Sequence, residues 1–565
     1  VGVSVGGTQR LTVGTSGVTV NGDLATTTSG TSNFVAGVNA GNSITSGGNY
    51  NVTVGDEAGT ALTVGGSNTA VGFDSLKADT KGSHSVAVGV GALYAQNFTS
   101  ATDAYNVAVG RSAGVAVTTG VRNTLIGGLS GAAMTTGDRN VAVGATSLDA
   151  CTTGQYNVAV GNDALTTLTS GARNTAVGLQ AGAAITTGSG NSFFGSDSGD
   201  ATTTGSNNTA VGYNALTANT TAGSNCALGA YALTANTTGT SNCAVGSSLV
   251  TNTTGTKNTS VGNNALYYNT TGYDNNAFGL STLQACTTGY NNSGFGGGGT
   301  LLAAALQSLT TGYRNCGFGN GAAGSTTTGA HNVAVGDAAL YTNSTGSDNV
   351  AVGQGSLLAN TTASLNVGVG YNAGIALTST SNNTFIGANA GNNIVTGSNN
   401  IMLGSGARGS ATNVSELVIG YDAVGKGNAT GLIYAPGGGA MYQATNASTW
   451  AQTSDVRLKK NIVNNDVGLA KINAIQVRNF DYKTAEEVES DGVLDSSQAV
   501  VKTGTQLGVI AQELELICPD CVTTESTGVK TVSVDNLHWH MLNAIKELSA
   551  TNDALAARLT ALEGA

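Results

Sequence analysis

Proline, charged side chains and long apolar runs are all scarce in this chain of 565 residues. It contains only 2 Pro, and 9% of its residues are charged. No segment of about 18 consecutive apolar residues occurs, so we expect no membrane insertion. The first residues show no signal-peptide pattern. The net charge of −11 argues against a nucleic-acid partner, because binding to phosphates requires clustered Lys and Arg.

Glycine, by contrast, is abundant, with 84 residues, and it closes a repeated pentapeptide. The pentapeptide begins with Asn and has a large apolar residue just before the Gly. The Asn stands at positions 51, 68, 106, 123, 140, 157, 174, 191, 208, 225, 242, 258, 275, 292, 315, 332, 349, 366, 383 and 400, and Ser replaces it at position 85. Copies lie 17 residues apart, except for steps of 16 before Asn258, 21 before Asn106 and 23 before Asn315. Such a period is typical of a solenoid with one coil per repeat.

Each column of the repeat predicts a structural role. The residue before the Gly is always large and apolar, and we predict that this column forms the interior line, with Val109, Ile126, Val143 and Val160 stacked in it. The residue two before the Gly is usually Ala, which suits a thin core. Gly supplies positive φ at corners, and Asn adopts the left-handed conformation or hydrogen-bonds locally.

Short runs of β-forming residues between these corners predict strands rather than helices. Because no helical span is long enough to return the chain, successive coils should stack as a parallel β-solenoid with a rise of about 4.8 Å per coil. We therefore predict a mainly β fold, in which a β-solenoid or β-roll fibre precedes a small α+β domain that ends in a coiled-coil helix.

Charge marks the boundary between these parts. Residues 454–565 hold 26 of the 53 charged residues, which leaves 27 for residues 1–453. We predict a β-rich lead-in over 1–50, a solenoid shaft over 51–404 and a tapering tip over 405–453. A separate folded domain should then occupy 454–565, with its coiled coil over about 537–563.

A family resemblance begins at that boundary. Residues 454–462 read Ser-Asp-Val-Arg-Leu-Lys-Lys-Asn-Ile, and further blocks follow at 508–513, at Pro519 with Val522, at 534–535 and at 544–548. In this order the blocks resemble the intramolecular chaperone domain of phage tail spikes and fibres, the S74 peptidase family of the endosialidase type. One departure is the His-Trp-His at 538–540, where the family more often has a plainer apolar stretch.

The resemblance implies a trimerising chaperone that releases itself by autoproteolysis with a Ser–Lys dyad. By position, Ser454 is the nucleophile, Lys459 is the base, and the bond between Thr453 and Ser454 is cut. A Ser hydroxyl can attack the preceding carbonyl if a Lys of lowered pKa accepts the proton, and burial lowers that pKa. No other enzymatic site is predicted in the fibre.

The spacing of five residues between Ser454 and Lys459 leaves two geometries open. In a strand the two side chains would face opposite sides, and in a helix they would lie about 140° apart. Either a turn brings them together or the Lys comes from a neighbouring subunit. The alternative to a dyad is a solvated basic cluster of Arg457, Lys459 and Lys460 beside an N-cap Ser.

The C-terminal residues predict self-association. Apolar positions follow one another at alternating steps of 4 and 3, which is the pattern of a coiled-coil seam. The seam consists of Met541, Ile545, Leu548, Asn552, Leu555, Leu559 and Leu562. We predict that it clamps a homotrimer; the alternative is an amphipathic helix packed on its own domain.

Cysteine gives no disulfide framework. Cys226, Cys243 and Cys316 share the column after the repeat Asn and are predicted to be buried. The only CxxC pair, Cys518 and Cys521, could form a zinc site with His538 and His540, but one pair without a spaced second pair is a weak signal. We therefore predict no metal and no cofactor.

These features together predict a phage tail fibre that is made in the host cytoplasm and carried on the virion. Its expected partners are a host cell-surface receptor, either a glycan or an outer-surface protein, and other virion tail proteins. An alternative is a bacterial trimeric surface adhesin, because the repeat also resembles the heads of trimeric autotransporters. A glycan-degrading spike is disfavoured, since the shaft offers no carboxylate pair for glycosidic chemistry.

Overall fold

The structure is a computed structural model that describes residues 2–5, 8–14, 17–20, 28–299, 302–435, 440–443, 451–452, 456–465, 467–491, 500, 502–525 and 528–564. It divides into two compact units, Val1–Thr453 and Ser454–Ala565. Among the described residues, none of the helices is long and apolar enough to cross a membrane.

The first unit is built on one ladder of short strands, with one strand per coil. Each strand pairs in parallel with the next, residue for residue, as Val141–Val143 does with Val158–Val160. The ladder strands are Phe34–Ala36, Val52–Val54, Thr69–Val71, Val86–Val88, Val107–Val109, Thr124–Ile126, Val141–Val143, Val158–Val160, Thr175–Val177, Ser192–Phe194, Thr209–Val211, Cys226–Leu228, Cys243–Val245, Thr259–Val261, Asn276–Phe278, Ser293–Phe295, Cys316–Phe318, Val333–Val335, Val350–Val352, Val367–Val369, Thr384–Ile386, Ile401–Leu403, Leu417–Ile419 and Gly431–Tyr434.

The described part of the range 51–404 contains no helix, which confirms the parallel β-solenoid. The ladder also runs past that range, because Phe34–Ala36 pairs with the strand at Val52 and Leu417–Ile419 pairs with the strand at Ile401. A short side pair, Gly82–Ser83 with Thr102–Asp103, accompanies the 21-residue step.

Antiparallel strands flank the ladder in sequence. Gly2–Val5, Thr8–Gly14 and Gly17–Val20 form a three-stranded sheet near the N-terminus. At the other end, Gly431–Tyr434 pairs with Ala440–Gln443, which pairs in turn with Ala451–Gln452. The switch from parallel to antiparallel pairing ends the solenoid within the segment predicted as a tapering tip.

The predicted interior line is wrong, although its residues do stack as a ladder. Val109 and Ile126 are 36% and 39% exposed, and Val143 and Val160 are only partly buried. In the ladder strands from Val52–Val54 to Leu417–Ile419, the buried residue is the middle one, two before the Gly, such as Ala159. Because side chains alternate along a strand, an inward middle residue forces both of its neighbours outward.

The coil core is filled from two sides of each coil. Ala159 comes from the strand, while Ala164, Leu165 and Leu168 come from the turns opposite, and all four are fully buried. The Cys column is the first position of its strands, and its side chains point outward like those of the third position. Cys226, Cys243 and Cys316 are therefore only partly buried, contrary to the prediction.

The repeat Asn is buried and links three coils, which goes beyond the local role predicted for it. Asn174 donates its backbone N–H to Asn157 Oδ1 at 2.9 Å and its side-chain Nδ2 to Gly188 O at 2.9 Å. The same pattern recurs along the ladder. Buried polar groups must be hydrogen-bonded, and Asn satisfies this rule by donating and accepting at once.

Where Ser85 stands in place of the repeat Asn, an inserted residue supplies the missing amide. Gln96, which lies in the 21-residue step, donates to Ser85 Oγ at 3.0 Å and to Asp79 Oδ2 at 2.7 Å, and it accepts from Asn106 Nδ2 at 2.8 Å. Its amide bridges the gap that Ser85 leaves. The longer step therefore restores the polar ladder across the substitution.

The Gly of each pentapeptide stands at a corner that admits no side chain. Gly161 has φ +139°, and a Cβ added there would lie 2.2 Å from the carbonyl oxygen of Gly178 in the next coil. Close stacking of coils and a positive φ both demand Gly at this column.

The second unit is a small α+β arrangement with four α-helices among its described residues. These are α1 at Leu469–Ala474, α2 at Ala485–Ser490, α3 at Ala511–Ile517 and α4 at Val534–Glu563. Two hairpin-like pairs join Arg478–Phe480 to Gln506–Gly508 and Val522–Thr524 to Lys530–Val532. Short 3₁₀ helices lie at Val456–Leu458 and Pro519–Cys521.

Candidate functional site

The predicted cleavage junction falls where the two compact units meet in sequence. The first unit ends at Thr453 and the second begins at Ser454. Both residues lie outside the described part of the chain, so the nucleophile and the scissile bond remain predictions. The last described strand before the junction is Ala451–Gln452.

Lys459, the predicted base, follows the 3₁₀ helix Val456–Leu458. Its backbone N–H donates to Val456 O at 3.2 Å, which closes a tight turn. The chain leading to Lys459 is thus neither an extended strand nor an α-helix, the two geometries that would separate it from Ser454. Its side chain is exposed in the single chain, as are those of Arg457 and Lys460. The described residues of one chain do not bury Lys459 in the way that a catalytic Lys needs.

Helix α4 carries the carboxylate that holds the start of α1. Glu547 accepts from the backbone N–H of Gly468 at 2.5 Å and of Leu469 at 3.2 Å. These N–H groups lack partners within α1, so an acidic side chain there completes the first turn. A Cβ on Gly468 would lie 2.2 Å from the backbone nitrogen of Ala544, so Gly permits this close approach.

An ion pair joins the strand Arg478–Phe480 to α3. Arg478 donates through Nε and Nη2 to both carboxylate oxygens of Glu513, at 3.2 and 3.1 Å. Beneath α3, a small core contains Leu514, Cys518 and Cys521. Glu513 and Glu547 each belong to a sequence block quoted above, so these blocks carry the scaffold of the unit.

Residues 454–523 match the Peptidase_S74 family, described as the chaperone of endosialidase. The match begins at Ser454, the residue that opens the second unit. No curated protein and no solved structure matches this chain significantly. The chain therefore combines a long β-solenoid with an S74 chaperone domain, which fits a tail fibre of this type.

The seam of α4 faces away from the rest of the S74 domain. Its apolar members are all exposed, from 44% at Met541 to 75% at Leu562, whereas Ala544 is buried. Helix α1 packs on α4 beside Ala544, at the first half of the helix. Within the described residues, the domain's own core therefore does not cover the seam.

Sequence reasoning identified the blocks of the S74 domain but missed the contacts between them. Glu547 and Gly468 lie 79 positions apart, and no local pattern links them. Of the proposed zinc ligands, His538 is exposed, whereas His540 is buried and contacts Asp520, which sequence reasoning did not include. Cys518 and Cys521 form a disulfide.

Proposed function

We propose that this chain is a homotrimeric phage tail fibre, assembled in register by its S74 domain and then released from that domain by self-cleavage between Thr453 and Ser454. The observation that carries the proposal is an apolar stripe along the solenoid, adjacent in sequence to a chaperone domain. The fibre would be carried on the virion, where it would join other tail proteins and contact a host cell-surface receptor.

The outer stripe consists of the residue before the corner Gly in each coil, from Val54 to Ile419. Every member is Val, Ile, Leu or Phe. Its most exposed members are Val109, Ile126, Phe194, Val211, Leu228, Phe318, Val335 and Ile386, at 36 to 44%. Apolar patches of this length are rare on monomers and typical of docking surfaces.

A further copy of the chain is the occupant that fits the outer stripe best. The stripe repeats at the strand spacing, so an identical ladder offers an apolar side chain at every matching level. Phe278, Phe295 and Phe318 stack with centroids 4.8 and 4.3 Å apart, which gives a flat, rigid section. Three copies, as the seam of α4 predicts, would bury the stripes around a common axis.

Register explains why such a fibre needs a chaperone. Because one level of the outer stripe resembles the next, two chains shifted by one coil would still bury most of the same apolar surface. The ladder alone therefore specifies register weakly. A non-repeating domain that trimerises first would fix the starting level for all three chains, and coils would then add to neighbours already in place.

Assembly also gives a reason for timed cleavage. Lys459 is exposed in the single chain. A general base needs a lowered pKa, and burial against a neighbouring subunit would supply it. Self-cleavage would then follow trimer formation and would release the S74 domain only from completed fibres.

Host contact would occur on the turns of the solenoid. Tyr273, Tyr290 and Tyr313 stack with centroids 5.0 and 4.8 Å apart on consecutive coils, and Arg314 lies beside the last ring. Exposed aromatic and Arg side chains are common in recognition surfaces. A glycan or an outer-surface protein is the expected class of receptor.

The test compares the full chain with residues 1–453 expressed alone. The full chain should give trimers of uniform mass, and Ser454→Ala should give uncut trimers. Without the S74 domain, the same solenoid should form aggregates or mixed assemblies by native mass spectrometry. If residues 1–453 alone form the same trimers in the same yield, the chaperone role is wrong.

A further inference from the structure

A mixed cluster of metal-ligand side chains lies in the second unit, at the start of α4. One donor atom from each of Cys518, Asp520, Cys521 and His540 lies within 4.8 Å of all the others. The two Cys and His540 are buried, and Asp520 is exposed. Two sulfurs, an imidazole and a carboxylate form a donor set that suits tetrahedral Zn²⁺.

The hydrogen bonds of His540 prepare one ring nitrogen for a cation. Nδ1 lies 3.2 Å from the carbonyl oxygen of Val467, which can only accept, so Nδ1 carries the proton. This contact matches the support that metal-binding His residues receive from a backbone carbonyl. Nε2 lies 2.8 Å from Asp520 Oδ2, at hydrogen-bond distance. A cation bound by both atoms would take the place of this hydrogen bond.

Charge balance around the cluster also favours a cation with two thiolates. Zn²⁺ with two thiolates and one carboxylate carries a net charge of −1. Lys471 Nζ lies 3.4 Å from Asp520 Oδ1 and 3.3 Å from His540 Nε2, so it supplies the compensating positive charge. An open cavity of about 310 Å³, lined by Asp520, Trp539 and His540, gives a metal ion access from solvent.

We propose that reduction of the Cys518–Cys521 disulfide converts this cluster into a Zn²⁺ site formed by both sulfurs, His540 Nε2 and the Asp520 carboxylate. A thiol reductant supplies two electrons and two protons, the S–S bond breaks to give two thiols, and the reductant becomes a disulfide. Metal binding then releases the two thiol protons to solvent.

The bound ion would fix the start of α4 to the rest of the unit. Cys518 precedes the 3₁₀ helix Pro519–Cys521, and Cys521 is its last residue. His540 belongs to α4, and its Nδ1 contacts the carbonyl oxygen of Val467. The disulfide links only positions three residues apart. The metal would therefore add a connection to α4 that the disulfide cannot make. This inference does not depend on the proposed function.

The test titrates Co²⁺, a spectroscopic substitute for Zn²⁺, into the full-length chain under anaerobic conditions. Reduced protein should bind one equivalent with a thiolate-to-cobalt absorption band and intense tetrahedral d–d bands, both removed by added Zn²⁺. Oxidised protein, which is the same polypeptide with the disulfide formed, should show neither band. This comparison needs no variant and therefore does not depend on how a variant folds.

Variants then locate the site. Cys518→Ser should reduce the thiolate band, because one of the two thiolates is lost, and His540→Ala should weaken Co²⁺ binding by more than the roughly 10–100-fold that a second-shell change costs. His538→Ala, two residues away and exposed, is the matched control and should bind as the wild type does. Cys226→Ser is a second control, because Cys226 and Cys243 are paired on neighbouring strands of the solenoid and could bind Co²⁺ themselves. Absence of the bands in reduced wild type, or their loss in either control, overturns the proposal.

Discussion

A buried amide joins most coils of the solenoid to their neighbours. Asn174 donates to Asn157 and to Gly188, and its own Oδ1 accepts from Asn191 at 3.0 Å. The side chain therefore links coils on both sides. Such a residue is uncommon in a protein core, because an amide is tolerated only when all of its groups find partners.

Asn174→Ala should destabilise the surrounding coils by about 1–3 kcal/mol, since it leaves buried donors and an acceptor without partners. Hydrogen exchange of the adjacent coils measures the loss locally. Asn162→Ala, an exposed Asn in the neighbouring coil, is the matched control and should have little effect. Equal protection in both variants would contradict a structural role for the ladder.

Gly161→Ala tests the corner column. The added methyl group would contact the Gly178 carbonyl, and φ +139° is unfavourable for any residue with a Cβ, so we expect a loss of at least about 1–3 kcal/mol. Thermal unfolding checks this value. Gly128→Ala adds a methyl group that meets no atom within 4 Å, and it should leave the melting temperature unchanged.

Asp79 predicts a pH effect on one section of the solenoid. Burial raises its pKa above the ordinary value of 3.8, despite hydrogen bonds from Gln96 and from the backbone of Gly82. Because the folded pKa is the higher one, the contribution of this carboxyl to stability is complete below pH 3.8 and declines as pH rises through the folded pKa. Hydrogen exchange of residues 79–106, measured as a function of pH, reports this contribution. In Asp79→Asn, the corresponding change in protection with pH should be absent. An unchanged pH profile would contradict it.

Sequence reasoning found the period of the repeat but assigned the wrong face of the strand to the core. The strands have only three residues, too few for alternation to distinguish the inner side from the outer side. Val109 was the more hydrophobic candidate, whereas Ala108 fits the space between the strand and the opposite turns. Hydrophobicity misled the assignment because the outer face of this ladder is apolar as well.

At the scale of elements, the outer stripe and the seam of α4 are two exposed apolar lines in separate units. Fully burying a large apolar side chain contributes roughly 1.5–3 kcal/mol. The most exposed members of the stripe are 36 to 44% exposed, so each would add a fraction of that value, and the sum over the coils gives a driving force for association. In the S74 domain, by contrast, His540 meets Cys518 and Asp520 only through the tertiary fold. The sequence pattern named the two Cys and His540 as weak zinc candidates together with His538, but it gave no reason to include Asp520.

Phe318→Asp tests the outer stripe. Phe318 is 44% exposed in the single chain, so the coil itself should tolerate the change, but an aspartate would be buried unpaired between copies. Sedimentation should show dissociated or misassembled chains. Tyr268→Asp makes a similar change at an exposed turn position and should leave trimers intact. If both variants remain trimeric, the stripe is not the interface.

In the whole molecule, a repetitive solenoid precedes in sequence a domain that does not repeat. The solenoid supplies length and an apolar surface, and the S74 domain would supply the register that a uniform ladder lacks. Under the proposed function, removal of that domain after assembly would leave the solenoids of three chains in a kinetically trapped arrangement. Under the proposed function, self-cleavage would be the step that marks completed assembly.

The most direct test is intact mass spectrometry of the purified wild type, Ser454→Ala and Lys459→Ala, each with its oligomeric state measured in parallel. Wild type should give fragments of residues 1–453 and 454–565, and both variants should remain full-length trimers. The two losses should not add in the double variant, because nucleophile and base serve one attack. Cleavage of Ser454→Ala at the same bond, or cleavage of wild-type monomers, would contradict the account.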